Sequence, residues 1–536
     1  MATKVKTDNK IIPLPAVDIT KEYKKLEEEQ NPQLKIKNSD MKYSAKQIDS
    51  FLSEGECGDA ELYIDLFKYK FCYDHIGKDW YYWNKNFWRI DIIGEKFAAI
   101  RELRKIYSTA RFHAAFEDHK AAKSKNKKKQ EDSERQKARI RLLTERINKL
   151  GESPYFKRVI ETASNGVGSL GIPGDCWDLR NKILVVKNGC IDLVTGKTTE
   201  GNPKDYMRTH CPVTLNKKAN EENIKIWTDF LLSSQDGDVE VVRFIQKLIG
   251  YSILGTCERH IFPIFYGIHG RNGKSTIFEI LKEALGEQMY KLPNDFLIKK
   301  KAQKADGAAD SVSIGLQGKK IVWCSEIDKG DQIDLPKVKG LTGGDTISAR
   351  GNWAKHNIHF VPTFITYMIT NRLAHVDSSD EAFWQRCFVI PFGLSFVQNP
   401  KEDYDREQDP HLKEKLQAIL PDIIRWCVQG SLIYQEEGLY PLPAAVVSAT
   451  KKYRRGQDRL GEFILSHYDE CKDGTGFALR SEMYTLYSNW AKESGYGKRG
   501  KKAFFDDISR RFGEPVKESV GFGFKKLYKK SEHDIQ

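Results

Sequence analysis

Ile261-Phe262-Pro263-Ile264-Phe265-Tyr266 runs directly into Gly267-Ile268-His269-Gly270-Arg271-Asn272-Gly273-Lys274-Ser275-Thr276, and Ile277–Leu285 follows. The first run is short and apolar, as a buried strand is; the last has helical spacing; glycines punctuate the turn between them. Strand, glycine-rich loop ending in Gly-Lys-Ser, and helix form an arrangement that suits phosphate. Glycines let backbone N–H groups close around the anion, and the helix N-terminus adds positive potential. On this reading Gly267, Gly270, Arg271, Asn272, Gly273, Lys274, Ser275 and Thr276 make a nucleotide loop. Lys274 reaches the β and γ phosphates of ATP, and the Ser275 hydroxyl ligates Mg²⁺. The strict pattern has four residues between the first glycine and Gly-Lys, whereas five separate Gly267 from Gly273. Either Ile268 takes the first position or the loop is one residue longer.

Outward from this loop, short apolar runs alternate with helical ones. Ile224–Leu232 and Val239–Leu248 precede it as helices; Ile321–Cys324, Thr363–Ile369 and Cys387–Ile390 follow as strands. That alternation predicts an α/β sheet domain over about 222–395. Ile321–Cys324 continues into Ser325-Glu326-Ile327-Asp328, an apolar strand ending in carboxylates. Glu326 and Asp328 are therefore candidates for supporting Mg²⁺ and polarising the attacking water. Thr363–Ile369 ends in Thr370-Asn371, whose amide can orient that water against the γ phosphate. Arg386, just before the last strand, is a candidate arginine finger, with a structural ion pair as the rival role and Arg372 as the rival residue.

The rest of the chain divides by composition. Residues 1–45 are polar and Lys/Glu-rich, a loose basic arm. Residues 46–216 predict an α+β domain, with an aromatic hairpin at Asp79–Trp83 and Phe87–Ile93 around Asn84-Lys85-Asn86. The charged stretch 117–148 is an exposed helix or a strap of open function. Residues 396–457 read as a helical linker, and 458–530 as three helices and a hairpin, a winged-helix plan. There Lys501, Lys502, Arg510 and Arg511 on the third helix, with Lys525 and Lys526 on the wing, suit duplex DNA. Deleting 458–536 is expected to remove duplex binding and spare ATP hydrolysis.

The 536 residues, at roughly 150 per domain, fit three or four domains. Lys+Arg of 87 against Asp+Glu of 74 leaves +13, which suits a polyanionic partner. No apolar run follows Met1 and none reaches the roughly 18 residues of a membrane span, so neither leader nor membrane partner is expected. The 10 cysteines contain no C-x-x-C pair, which argues against a zinc ribbon or a secreted disulfide framework. A cytoplasmic protein is expected.

Gly-Arg-Asn-Gly-Lys-Ser-Thr, the Ser-Glu-Ile strand end, Lys339-Gly340-Leu341-Thr342-Gly343-Gly344-Asp345, Thr370-Asn371 and Phe383-Trp384-Gln385-Arg386 occur in that order. As a set they resemble superfamily 3 helicases of the phage, plasmid and poxvirus primase–helicase type, and the Trp80–Trp88 hairpin with Asn188–Leu193 resembles the domain that precedes the helicase in that family. The resemblance implies an AAA+-like P-loop ATPase ring, usually a hexamer. It would move along single-stranded DNA in a central pore, typically 3′ to 5′, in the cytoplasm of a bacterial host. It implies that Lys274, Ser275, Glu326, Asp328 and Asn371 act in one subunit while Arg386 reaches a neighbour's site. It also implies a pore hairpin, with strands at Asp345–Arg350 and Asn357–Phe360. Lys355 and His356 would grip phosphates at its tip, supported by Lys339 and Arg350. Residues 1–220 hold no convincing set of paired carboxylates for primer synthesis, so a separate primase is the expected partner. The competing expectation is an initiator that binds origin DNA and uses ATP without processive unwinding.

Overall fold

The computed structural model describes residues 42–122, 127–299, 311–325, 331–349, 357–471, 473–494 and 499–530. Two compact units emerge: residues to 82 with 90–173, and residues 83–89 with 174 onward. Both differ from the sequence expectation. The predicted 46–216 domain divides at 173, because the strands Ile183–Val186 and Gly189–Asp192 send Leu184, Val186, Ile191 and Leu193 into the same core as the helices that follow. The arm also ends earlier than residue 45. Tyr43 is buried with its hydroxyl on Asp65, and Ser44 forms a reciprocal capping box with Gln47 at the head of helix Ala45–Ser53.

In the first unit, helices Glu56–Phe67, Ile100–Ala122, Lys127–Lys149 and Ser153–Ala163 pack around Leu62, Tyr63, Leu103, Tyr107, Leu143 and Val159. Asp59 is buried among them. It accepts from the hydroxyls of Tyr107 (2.6 Å) and Tyr155 (2.7 Å) and pairs with Arg146 at 2.8 Å. A carboxylate out of water needs such partners; here desolvation still raises its pKa against their pull. The charged 117–148 stretch lies mostly on two helices, with Arg139 paired to Asp49 at 2.7 Å. Strand Phe71–Asp74 pairs antiparallel with the predicted aromatic strand from Asp79 and parallel with Gly171–Ile172.

The second unit is built on a five-stranded parallel sheet: β1 Phe262–Tyr266, β2 Met289–Lys291, β3 Ile321–Ser325, β4 Ile365–Thr370 and β5 Cys387–Pro391, in the order β5-β1-β4-β3-β2. Both faces are covered, which is why the strands read as continuous apolar runs rather than alternating ones. Ile321, Trp323, Tyr367 and Ile390 face helices α1 Glu221–Ser234, α2 Val239–Ile253 and α3 Lys274–Leu285, together with helix Leu420–Glu437. Val322, Cys324, Met368 and Val389 face the other way, toward Leu297, Phe383, Tyr453 and α4 Leu335–Thr342. After α4, Ile347–Ala349 and Ile358–Phe360 form the antiparallel pair expected there.

The chain closes with helices Arg459–His467, Arg480–Glu493 and Lys501–Phe512 around Phe463, Tyr487, Phe504 and Ile508. The expected terminal hairpin, Val516–Val520 with Phe524–Tyr528, is re-paired in the structure. Val516–Glu518 pairs with Gly521–Phe524, while Leu527–Lys529 pairs with Tyr468–Glu470. These helices are tied to the loop after β4. Arg459 Nη2 lies 2.8 Å from His375 Nδ1, the Val376 N–H donates to Gln457 Oε1 at 3.1 Å, and Arg499 meets both Asp377 and Asp507. Among the described residues no helix is long and apolar enough to cross a membrane. None of the 10 cysteines is in a disulfide, and most are buried.

Candidate functional site: the glycine loop at the end of the parallel sheet

The loop leaves the C-terminal end of β1, where parallel sheets in α/β proteins place their ligands. Two of its residues hold left-handed backbone, Arg271 at φ 56° and Gly273 at φ 81°. Gly273 does so at no steric cost; Arg271 does not. Gly267 is buried against the Asn272 side chain, the Phe392 carbonyl and the Lys274 ammonium, so a Cβ there would collide. The Asn272 amide donates to the His269 carbonyl at 2.6 Å and closes the loop on itself. Gly273 starts α3, and no side-chain hydrogen bond caps that helix, so its leading N–H groups are left for a ligand.

Lys274 is 3% exposed. Its Nζ donates to Asn371 Oδ1 at 2.7 Å and to the Gly267 carbonyl at 3.4 Å, two neutral oxygens. Burial depresses its pKa from 10.5 to about 7. β4 lies between β1 and β3, so Asn371 at the tip of β4 is the strand-end group that reaches the lysine. The structure thus brings together Lys274 and Asn371, which the sequence assigned to one centre from 97 positions apart. Ser275 is exposed in the first turn of α3, and Gly270 and Arg271 are exposed on the loop. Glu326 and Asp328 lie outside the described residues; β3 ends at Ser325, just before them.

A cleft of about 840 Å³ opens beside the loop. Arg271, Gly273 and Thr276 of the loop and α3, Phe230 of α1, and Phe396 and Glu407 of the segment after β5 line it. Phe396 and Glu407 belong to the segment after β5, for which the sequence carries no signal. Its Phe396 N–H donates to the Arg271 carbonyl at 2.8 Å, and its Tyr404 ring stacks on His269 with centroids 3.7 Å apart.

Other expected site residues lie elsewhere. Arg386 stands at the opposite edge of the sheet, where its carbonyl accepts from the N–H of Phe262 at the start of β1. Its guanidinium donates to the Ala382 carbonyl at 2.5 Å and approaches His260 Nδ1 at 3.5 Å, and its Nε has no partner among the described residues. Arg372 is exposed at the nucleotide-loop end, right after Asn371. Lys339, expected on DNA, is paired with Asp380 at 2.7 Å. Arg350, Lys355 and His356 lie outside the described residues. In the C-terminal part Arg510 pairs with Asp507 (3.2 Å), Arg511 with Asp458 (2.7 Å) and Lys525 with Glu518 (3.3 Å). Lys501, Lys502 and Lys526 are exposed. The basic surface is therefore smaller than the sequence suggested, because part of it neutralises acids of the same chain.

Residues 60–234 match the D5 N terminal like family. The chain is 27% identical over 380 residues to a putative helicase of Acanthamoeba polyphaga mimivirus, an alignment covering 65% of this chain and 38% of that protein. It is 21% identical over 279 residues to a putative primase of African swine fever virus, covering 49% and 28% respectively. The chain thus spans well under half the length of these relatives. Among solved structures, the C-terminal region of NrS-1 aligns with 60% of this chain and 77% of that one at 13% identity and a TM-score of 0.35, too loosely to carry an argument. Residues 60–234 are thus similar to a D5 N-terminal-like domain, and the chain is similar to viral proteins named putative helicases and primases.

Proposed function

We propose that the chain is an ATP-hydrolysing DNA helicase serving the replication of a virus, phage, plasmid or other mobile element, and that it works as a ring, a hexamer, moving 3′ to 5′ on single-stranded DNA through its pore. The observation that carries this reading is Lys274: a buried ammonium held by neutral oxygens, at a glycine loop and an uncapped helix end, beside a cleft that can accept a nucleoside. Such a cation lacks the anion that would repay its desolvation, and a triphosphate supplies it.

In this reading the loop N–H groups and Lys274 bind the β and γ phosphates, and Asn371 holds Lys274 and orients the attacking water. Mg²⁺ would sit against Ser275 with Glu326 and Asp328, and when bound it neutralises charge on the phosphate oxygens. The exposed Ser275 hydroxyl in the first turn of α3 fits that role. Arg386 cannot serve the loop of its own subunit. β1 spans 5 residues, so the two lie on the order of 15 Å apart across the sheet. A neighbour's loop is the site it would complete. Residues 458–530 have the winged-helix plan, and Lys501, Lys502 and Lys526 are left to meet duplex DNA. Cytoplasmic replication and a separate primase complete the proposal.

The test is ATP turnover with and without single-stranded DNA, alongside strand displacement on a forked duplex, for the wild type and Lys274→Ala. DNA-stimulated turnover and unwinding, both reduced about a hundredfold or more in the variant, support the motor. Turnover without unwinding replaces it with the initiator.

A further inference from the structure

The loop at 267–273 is not self-supporting. Arg271 holds a backbone conformation that a residue with a side chain resists, and the Asn272-to-His269 bond constrains one half of the loop only. Gly267 is held by Lys274 Nζ on its carbonyl at 3.4 Å and by its N–H on the Thr370 carbonyl at 3.2 Å; further constraint comes from the segment after β5. The Phe392 N–H donates to the Tyr266 carbonyl at 2.7 Å, where the loop begins, and the Phe396 N–H to the Arg271 carbonyl at 2.8 Å. Between these two points the Tyr404 ring lies flat on His269, at 3.7 Å and an interplanar angle of 13°.

The segment that carries Tyr404 is itself anchored. Ser395–Val397 and Asp405–Glu407 pair as short parallel strands. Asp405 Oδ2 accepts from the N–H groups of Lys401 and Glu402, both at 3.1 Å, and Arg406 reaches Asp236 at 3.0 Å. Phe396, Gln398 and Glu407 of the same segment form a wall of the cleft. One stretch of chain therefore both walls the cleft and clasps the loop.

We propose that residues 392–407 are a clasp that holds the glycine loop in its phosphate-accepting shape, and that Tyr404 is a positioning residue acting through His269. The proposal rests on the nucleotide reading of the loop. Tyr404 need not touch the nucleotide. Its ring fixes His269, and His269 with Arg271 fixes the direction of the intervening N–H groups. Preorganisation of this kind appears in binding, because a relaxed loop must be reordered each time a nucleotide arrives. The ring does this work, so the hydroxyl is dispensable.

The experiment measures affinity for a fluorescent ATP analogue and steady-state turnover in the full chain, for the wild type, Tyr404→Ala, Tyr404→Phe, His269→Ala and the double alanine variant. Tyr404→Ala should weaken nucleotide binding and raise KM about three- to tenfold, the scale of one aromatic stack, with kcat within about twofold. Tyr404→Phe should bind as the wild type does. His269→Ala should match Tyr404→Ala, and the double variant should be no worse than either, since both remove one contact. Unchanged binding in both single alanine variants would overturn the clasp, and so would additive losses or a loss in Tyr404→Phe equal to that in Tyr404→Ala. If Tyr404→Ala does not fold, His269→Ala against wild type decides the matter on the same scale. Lys274→Ala is the separate control: nucleotide binding intact in that variant removes the phosphate-loop reading itself, whatever Tyr404 does.

Discussion

Two lysines stand at opposite ends of the same parallel sheet, and both have lost their water. Lys274 follows the loop at the C-terminal end of β1, and Lys320 immediately precedes β3 at the other end. They are 3% and 4% exposed, and burial brings each pKa from 10.5 down to about 7. Their surroundings separate them. Lys320 donates to the Asn181 carbonyl, and Asp178 draws its pKa back upward. Chain fills the space around it: the Lys320 N–H is on the Gln288 carbonyl, and the Gln288 amide is on the Thr209 carbonyl. Lys274 has two neutral oxygens, a glycine loop and an open cleft. A buried cation by itself marks nothing; what marks a site is a buried cation whose missing counter-charge has room to arrive.

The largest expected effect sharpens the contrast with a third cation. Arg386 sits at the Lys320 end of the sheet, and its proposed part in hydrolysis is through a neighbouring subunit. Arg386→Ala should bind nucleotide normally and lose roughly a thousandfold in turnover. Mixing it with Lys274→Ala should restore part of the activity, because mixed assemblies contain interfaces with one intact loop and one intact arginine. No recovery on mixing would break the assignment. Next comes the staple. Lys320→Met should leave ATP turnover per folded molecule unchanged and lower stability by about 1–3 kcal/mol, since the Asn181 carbonyl loses its donor. Denaturant midpoints and turnover measured together decide it, and a loss of turnover without a loss of stability would make the two ends alike.

The smallest effect is a fraction of a proton. Both lysines have folded pKa values below their unfolded value, so the unfolded chain binds more protons between pH 7 and 10.5. The contribution of both residues to stability therefore rises with pH across that window. A bound phosphate reverses this for Lys274 alone by raising its pKa. ATP binding should take up almost no proton at pH 6 and an increasing fraction, approaching about one, as pH rises toward 9. Calorimetric titrations in buffers of different ionisation enthalpy read this directly, and the uptake should persist in Lys320→Met.

The contrast also shows which parts of the molecule the sequence exposes. Phe262–Tyr266 and the turn Gly267–Gly273 were legible because a buried parallel strand and a glycine-rich turn into a helix each have a compositional signature that needs no partner. That Lys274 and Asn371 lie together was an expectation of the sequence, and their 2.7 Å contact depends on β4 being inserted next to β1. Ion pairs hid more. Lys339 and Arg511 read as free DNA-facing charge, yet their acids, Asp380 and Asp458, lie 41 and 53 positions away. The division at 173 was hidden for a similar reason: residues 83–89 belong with later chain, through the Trp88 N–H on the Met207 carbonyl and the Phe87 ring on His210, 119 and 123 positions away. Tyr404 and its segment carry no motif at all, and their part in the site exists in three dimensions alone.

The C-terminal helices have a consequence for modularity. A winged-helix-like tail reads as a cartridge that could be cut off or exchanged between related proteins. Here Arg459 and Arg499 are partners of His375 and Asp377, four and six residues beyond Asn371. Removing 458–536 would strip those partners from the loop that follows Asn371, so the truncated chain would differ beside the proposed nucleotide site as well as in its proposed grip on DNA. Recombination that shuffled such helices would have to carry residues 375–377 along with them, so the unit of exchange in this protein is larger than residues 458–530.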